Sequence, residues 1–328
     1  MNSGKALVAR AGEGKAYTVG FEDLSLDAWP AGDVVIRVSH SGLNYKDALA
    51  ITQRAPIVRS LPMVLGVDLA GEVVESASPR FVPGDRVIVN GWGLSETRWG
   101  AFAQLVRMPE ALVQHLPPGF TPEQAAQIGT AGYTAMLCVQ ALRGHGLQPG
   151  RDAVLVTGAS GGVGSIAVSL LARAGYHVMA VSGRADQEPF LRSLGAAEVL
   201  AREAISAGGR PMAKERWAGV VDVVGGAMLA DAIAQTRYDG IVAACGMAGG
   251  GGLETTVYPF ILRGVTLRGV DSVMVPMPRR EAAWAALDAE LDRDLLARLS
   301  VTRDFDDLPQ LALDLLEGRL QGRVAVRL

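Results

Sequence analysis

A short apolar run, a glycine-rich turn and a small-residue stretch follow one another without a gap between residues 152 and 184. No other feature constrains the fold of this chain as strongly. Asp152-Ala-Val-Leu-Val-Thr157 is apolar and β-branched, as a strand buried on both faces should be. Gly158-Ala-Ser-Gly-Gly-Val-Gly164 follows at once, then a helix-forming stretch at 166–174, then a second apolar strand from His177 to Val181. The unit closes within about thirty residues, the size of a βαβ crossover. Ala159-x-Gly161-x-x-Gly164 is a G-x-G-x-x-G fingerprint with alanine in the first place. Glycine there lets the backbone approach a pyrophosphate and lets the helix lie close to the strand, while free N–H groups at the helix N-terminus face the anion. Between a strand and a helix, the match predicts a dinucleotide site with Ser160, Gly161, Gly162 and Val163 around the pyrophosphate.

The end of the second strand selects the dinucleotide. An NAD site carries Asp or Glu about twenty residues beyond the fingerprint, where it holds the ribose 2′-hydroxyl. Here that place is taken by Ser182-Gly183-Arg184. A hydroxyl and a guanidinium suit a 2′-phosphate, which a carboxylate would repel. NADPH is therefore the expected cofactor, with Asp186 as the competing reading toward NAD. Arg202, just past an apolar stretch at 196–200, is either a second cation for the phosphate or a surface residue. Gly246 and Met247 follow a strand-like run at 241–245, at the carboxyl edge where the nicotinamide half should lie. Ser272, after the last expected sheet strand, is a further candidate there.

Strand-like runs alternate with helical stretches from residue 125 to about 280, which predicts a doubly wound parallel sheet. Residues 1–124 read differently. Short strands at 5–10, 33–40, 71–75 and 86–90 are separated by Pro, Gly and Asp turns, and extended chain at 106–116 ends on Pro117-Pro-Gly119. The expected architecture is α/β, with a β-rich domain at 1–124 and a Rossmann-type domain at 125–280. Thr121-Pro-Glu-Gln124 starts a helix, with Thr as N-cap and Pro at the first position. That helix is expected to be interrupted near Gly129 and Gly132. Residues 281–328 complete the chain, with amphipathic helices at 279–296 and 308–316 and a terminal strand at 323–328 expected to return to the first domain.

At 328 residues there is room for two domains and a sizeable core. A net charge of −3, with Lys and Arg scattered, argues against a nucleic-acid surface. No run approaches the ~18 apolar residues of a membrane span, and the first residues lack an apolar signal core. The 2 cysteines, Cys138 and Cys245, lie in apolar surroundings and read as buried thiols of a reducing compartment. A cytoplasmic protein is expected.

A β-rich first domain, an inserted dinucleotide domain and a returning last strand resemble the medium-chain dehydrogenase/reductase superfamily, and the resemblance covers the whole chain. It implies that the first domain is a GroES-like catalytic domain. Leu43-Asn-Tyr-Lys-Asp-Ala-Leu-Ala50, Asn90-Gly-Trp-Gly93, Gly129-Thr-Ala-Gly-Tyr-Thr-Ala-Met-Leu-Cys138, Ala243-Ala-Cys-Gly-Met-Ala-Gly-Gly250 and Pro259-Phe-Ile-Leu-Arg263 are similar to one branch. That branch is the zinc-free, quinone oxidoreductase-like group, and within it the NADPH-dependent acrylyl-CoA reductases. Ala101-Phe-Ala-Gln104 and Asp239 depart from its pattern, the latter standing where glycine is expected.

Zinc enzymes of the superfamily place a Cys at the position matching Asn44 and a His at the position matching Val67, and they carry a four-cysteine lobe. Neither residue present is a zinc ligand, and His40, His115, His145 and His177 show no ligand spacing. No metal is expected. The resemblance implies that Asn44 and Tyr45, in the loop where zinc enzymes begin their metal site, face the nicotinamide. Tyr45 can donate a proton or only pack against the cofactor, and Lys46 and Asp47 can pair or orient the loop. Such a site favours conjugate reduction over alcohol oxidation, with hydride to the β-carbon and a proton to the α-carbon. The resemblance alone supplies the reaction, acrylyl-CoA to propanoyl-CoA, and the partner, a short-chain enoyl-CoA. Arg54, Arg59 and Arg279 are scattered and give no CoA motif. A homodimer is expected through an apolar strand at 270–275. An NADPH:quinone reductase and a non-catalytic NADPH-binding protein stay open as alternatives.

Overall fold

A computed structural model describes residues 2–13 and 17–328. Two units separate in it. The first holds Met1–Thr130, Ser272–Asp288 and Leu296–Leu328, and the second holds Ala131–Asp271 and Ala289–Leu295.

The first unit is β-rich because its apolar residues come in short, turn-bounded runs. Its strands are β1 (Ser3–Ala11), β2 (Tyr17–Ser25), β3 (Val34–Leu43), β4 (Met63–Val64), β5 (Asp68–Ser76), β6 (Arg86–Asn90), β7 (Leu105–Met108) and β8 (Gln114–His115). They are joined from the far end of the chain by β15 (Ser300–Asp304) and β16 (Arg323–Arg327). One sheet runs β2-β1-β4, and the other β15-β16-β3-β5-β6-β8 with β7 also on β3. The terminal strand thus returns as expected, with β16 antiparallel to β3 through Val324↔Leu43 and Val326↔Ser41. Between the sheets lie Val8, Ile36, Val73, Phe81, Val87 and Val106, all buried. Helix α1 (Tyr45–Thr52) leaves β3 and packs against α9 (Leu308–Leu316).

The second unit is the doubly wound half. Strands β9 (Ala153–Val156), β10 (His177–Ser182), β11 (Glu198–Ala201), β12 (Trp217–Asp222), β13 (Thr236–Ala244) and β14 (Thr266–Gly269) form one parallel sheet in the order β11-β10-β9-β12-β13-β14. The order reverses between β9 and β12, and in such sheets a ligand binds outside the carboxyl ends at that reversal. Helices α3 (Gly162–Arg173), α4 (Glu188–Ser193), α5 (Gly226–Ala234) and α6 (Tyr258–Leu262) connect the strands.

Several local expectations are corrected. The segment around Asn44 and Tyr45 is not a loop but the start of α1, with Asn44 as N-cap and Asp47 in the first turn. Helix α2 (Pro122–His145) begins at the Thr121 cap, where Thr121 and Gln124 exchange hydrogen bonds of 3.0 and 3.1 Å. It breaks at Gly129 (φ 50°, ψ −161°) and not at Gly132. The helix expected at 279–296 is two, α7 (Met277–Glu290) and α8 (Arg293–Leu299). The Asp292 carboxylate accepts the Leu295 N–H at 3.0 Å and restarts the helix. Residues 270–275 form no strand, and 272–274 are bends. Their backbone is drawn to the buried Arg280, whose guanidinium donates to the carbonyls of Val273, Val275 (2.7 Å) and Ser272 (3.3 Å). Cys138 is buried, but Cys245 is partly exposed. Asp239, in place of the expected glycine, sits at φ 54°, a left-handed turn that Asp tolerates better than most residues.

Candidate active site

In the second unit the fingerprint turn is pinned from below. Thr157, the residue after β9, donates its hydroxyl to Asp222 Oδ1 (2.7 Å) and accepts the Val223 N–H (3.1 Å). Asp222 Oδ2 accepts the Gly225 N–H at 2.8 Å. Burial pushes the Asp222 carboxyl upward, and its bonds to Thr157, Gly225 and Val224 oppose that shift. The turn then passes Gly158 and Ala159 and enters α3 at Gly162, with Gly161 as an N-cap that has no side-chain acceptor. The first N–H groups of α3 are therefore available to an anion. A Cβ on Gly164 would meet the Gly158 carbonyl oxygen at 2.4 Å, so the close approach of helix and strand requires glycine.

At the carboxyl end of β10 the parallel register sets Ser182 beside Ala201, so the chain beyond each strand brings Gly183 and Arg202 together. The Arg202 guanidinium covers Gly183 so closely that a Cβ there would lie 2.5 Å from Cζ. The Ser182 hydroxyl both donates to the Arg184 carbonyl and accepts the Arg184 N–H at 3.2 Å, shaping the turn that presents Arg184. Asp186 is exposed and accepts from Gln187 Nε2 at 3.0 Å. Gly246 lies beside Val223, and Met247 is 74% exposed just beyond β13. Ser272 belongs to the first unit, so it is not grouped with these residues. The anion-ready helix terminus with two guanidiniums beyond β10 and β11 fits a dinucleotide bearing a 2′-phosphate.

In the first unit a buried polar cluster surrounds the start of α1. Asn44 is its N-cap. The Asn44 N–H donates to Asp47 Oδ2 (2.9 Å), and Asn44 Nδ2 donates to Asp68 Oδ2 (2.7 Å) and Asp47 Oδ2 (3.2 Å). Asp68 also accepts from Asn90 Nδ2 (2.8 Å) and from the backbone N–H (2.8 Å) and hydroxyl of Thr130. The left-handed turn at Gly129 frees that Thr130 N–H from the helix ladder and aims it at the carboxylate. Arg323, the first residue of β16, completes the cluster. It donates to the carbonyls of Gln127 (2.8 Å) and Leu43 (3.1 Å) and to Asn44 Oδ1 (3.3 Å), while Nη2 has no acceptor among the described residues. A Cβ on Gly129 would meet both Asp68 Oδ2 (2.5 Å) and Arg323 Nη2 (2.7 Å), so glycine keeps these two charges facing each other.

Two buried carboxylates and one guanidinium leave excess negative charge. Asp47 absorbs it, because burial, followed by the Asp68 charge, pushes its carboxyl up to about 7. Burial pulls the Arg323 guanidinium down from its usual value, yet a guanidinium stays protonated in proteins. Lys46 pairs with Glu96 at 2.8 Å and not with Asp47, against one expectation. Tyr45, the first residue of α1, is 48% exposed, and its hydroxyl bonds no other described residue. Zinc does not fit here. Asn44 and Val67 are not ligands, and the Asp68 oxygens are filled by amide, hydroxyl and backbone donors. Among the described residues no group of three or more His, Cys, Asp or Glu could hold a metal ion.

Comparison with known proteins agrees with both halves. Residues 30–118 match the alcohol dehydrogenase GroES-like domain family, and residues 162–289 match the zinc-binding dehydrogenase family. The chain is 47% identical over 306 residues to acrylyl-CoA reductase AcuI of Ruegeria pomeroyi, covering 93% of each. It belongs to the medium-chain dehydrogenase/reductase superfamily. Within that superfamily it falls in the quinone oxidoreductase-like branch. The yhdH oxidoreductase of Salmonella enterica, solved in complex with NADP, is 47% identical with a TM-score of 0.96 over 99% of each chain. Bacillus subtilis yhfP, solved with NAD bound, is 40% identical with a TM-score of 0.95 over the full length of both. Sequence reading missed the structural roles of Asp68, Asn90, Thr130 and Arg323, as well as the Thr157–Asp222 pin, while Asp47 takes the orienting role that was one of its two expectations. The one available signal was Asn44-x-x-Asp47, a helix-start spacing.

Proposed function

We propose that this chain is an NADPH-dependent reductase converting acrylyl-CoA to propanoyl-CoA. The observation that carries the proposal is 47% identity to the Ruegeria pomeroyi acrylyl-CoA reductase over 93% of both chains. The cationic turn of Arg184 and Arg202 supports NADPH over NADH. NADPH, when bound, supplies the hydride equivalent that the β-carbon accepts. The N-terminus of α3 and Ser160 to Val163 bind the pyrophosphate, and Arg184 and Arg202 hold the 2′-phosphate. Gly246 and Met247 line the nicotinamide half.

Tyr45 is the catalytic acid of this reading. Its exposed hydroxyl supplies the proton that the α-carbon collects, directly or through one water, and it contacts the cofactor. Asn44 acts by positioning. Its amide is committed to Asp47, Asp68 and Arg323, and it fixes the first turn of α1, on which Tyr45 stands. The test is a comparison of kcat/KM for acrylyl-CoA and a benzoquinone with NADPH as reductant. A thioester preferred by tenfold or more supports the proposal, and a quinone preferred by the same factor overturns it.

A homodimer in the cytoplasm fits two further features. Strand β14 is an exposed edge of the parallel sheet, and Val257, Ile261 and Leu262 beside it are exposed apolar side chains. Neither cysteine is in a disulfide, as in a reducing compartment. A monomer by light scattering at micromolar concentration would refute the dimer.

A further inference from the structure

The C-terminal end of α1 opens onto a cavity of about 580 Å³ within the first unit, and the reaction described above does not use it. Tyr17, Gln53, Arg54, Arg59, Ser60 and Leu61 line it. The tyrosine is fixed as a wall: its hydroxyl donates to the Ala50 carbonyl (2.6 Å), and its backbone N–H donates to Gln53 Oε1 (3.3 Å). Gln53 itself sits in the left-handed C-cap of α1 at φ 58°. The two guanidiniums are loosely held. Arg54 reaches Glu317 only at 3.9 Å, and the Arg59 guanidinium bonds no described residue, although its backbone N–H is anchored on the Glu96 carbonyl at 2.9 Å. The carbonyls ending α1 disfavour an anion, so the two cations are needed there if a phosphate is to bind.

We propose that this cavity binds the 3′-phosphoadenosine diphosphate end of the CoA thioester. An aromatic wall, an amide and a hydroxyl suit the purine nucleoside, and paired guanidiniums suit phosphate oxygens. A phosphomonoester carries about −1.5 to −2 charge at neutral pH, enough to draw two arginines from loose contacts. The volume lies within the range of small-molecule sites, roughly 300–1,000 Å³. Reach also fits. The eight residues of α1 separate Tyr45 from the cavity by roughly 12 Å. A pantetheine arm, comparable to four or five extended residues, spans roughly 15 Å. A thioester held at Tyr45 therefore brings its nucleotide to Arg54 and Arg59. The inference rests on the proposed substrate class and adds to it a location for the part of the substrate that does not react.

The probe is 3′-phosphoadenosine 5′-diphosphate, titrated calorimetrically into NADPH-saturated enzyme so that the cofactor's own adenosine site is filled. The comparison protein is the double variant Arg54→Ala/Arg59→Ala. The variant should bind the probe at least tenfold more weakly than the unaltered enzyme. Its KM for acrylyl-CoA should rise by a similar factor with kcat unchanged. Acrylyl-pantetheine, which lacks the nucleotide, should be reduced equally by both proteins, and this also reports that the variant is folded. Equal binding of the probe to both proteins, or no binding to either, overturns the subsite. Arginine-dependent binding in an enzyme that reduces neither thioester keeps the subsite and overturns the proposed reaction instead.

Discussion

Replacing Asp47 with asparagine removes the charge of a carboxyl that is fully buried 3 residues from the N-cap, while retaining an acceptor for the Asn44 N–H. The carboxyl lies at about 7 in the folded protein against an ordinary value of 3.8. A raised pKa means that the folded state holds the proton more tightly than the unfolded chain. The resulting stability is therefore lost as pH rises through the window from about 4 to about 7, and the penalty is complete above it. Integrated from pH 5 to pH 8, the linkage amounts to roughly 2–3 kcal/mol, and the whole shift is worth roughly 4 kcal/mol. The magnitude is large because the carboxyl is fully buried and lies beside the Asp68 charge, which its bonds to Asn44 only partly offset. Urea unfolding of both proteins, followed by tryptophan fluorescence at pH 5, 6, 7 and 8, measures the difference. The unaltered protein should lose about 2–3 kcal/mol relative to Asp47→Asn across that range. Curves that stay parallel within about 0.5 kcal/mol would show that Asp47 titrates in the ordinary carboxylate range and that the charge reasoning is wrong.

Three further outcomes follow from the same geometry. Arg184→Ala should weaken NADPH binding roughly ten- to a hundredfold and leave NADH nearly unchanged, since a hydrogen bond to a charged group is worth about 1.5–3 kcal/mol; an equal loss for both cofactors in a fluorescence titration would contradict the 2′-phosphate assignment. Tyr45→Phe should lower kcat by roughly 10²–10⁴ with NADPH binding preserved, and unaltered turnover would reduce Tyr45 to a packing residue. Arg323→Met leaves buried carboxylate charge without its partner and should cost about 3–5 kcal/mol of stability in urea, whereas a loss below about 1 kcal/mol would mean that the cluster is neutral without it.

The dinucleotide half was legible because its signals are contiguous. Strand, turn, helix and second strand follow one another from Asp152 to Arg184, and each local pattern agrees with the next. The returning strand β16 was legible for a similar reason, as an apolar run with no role in the dinucleotide unit. The polar cluster was not legible. Asp47, Asp68, Thr130 and Arg323 come from four distant segments and acquire a meaning only when β16 pairs with β3 and α2 kinks at Gly129. Strand β2 was missed because Gly20, Glu22 and Asp23 give it weak propensity, and its full-length pairing with β1 supplies what propensity lacks. The opposite error occurred at 270–275. Its apolar run suits a strand, but Arg280 takes the carbonyls that a ladder would have used. Sequence reading also placed Arg54 and Arg59 among scattered cations, and only the turn after α1 puts them on one cavity.

The most direct measurement follows the atoms. The enzyme is supplied with acrylyl-CoA and NADPH carrying deuterium at the transferable position of the nicotinamide, first in light water, then with unlabelled NADPH in heavy water. The products are read by NMR and mass spectrometry. The expected product is propanoyl-CoA with one deuterium on the β-carbon in the first experiment and one on the α-carbon in the second. Deuterium from the cofactor on the α-carbon, or NADPH left unoxidised while a quinone consumes it readily, would contradict conjugate reduction as the chemistry of this chain.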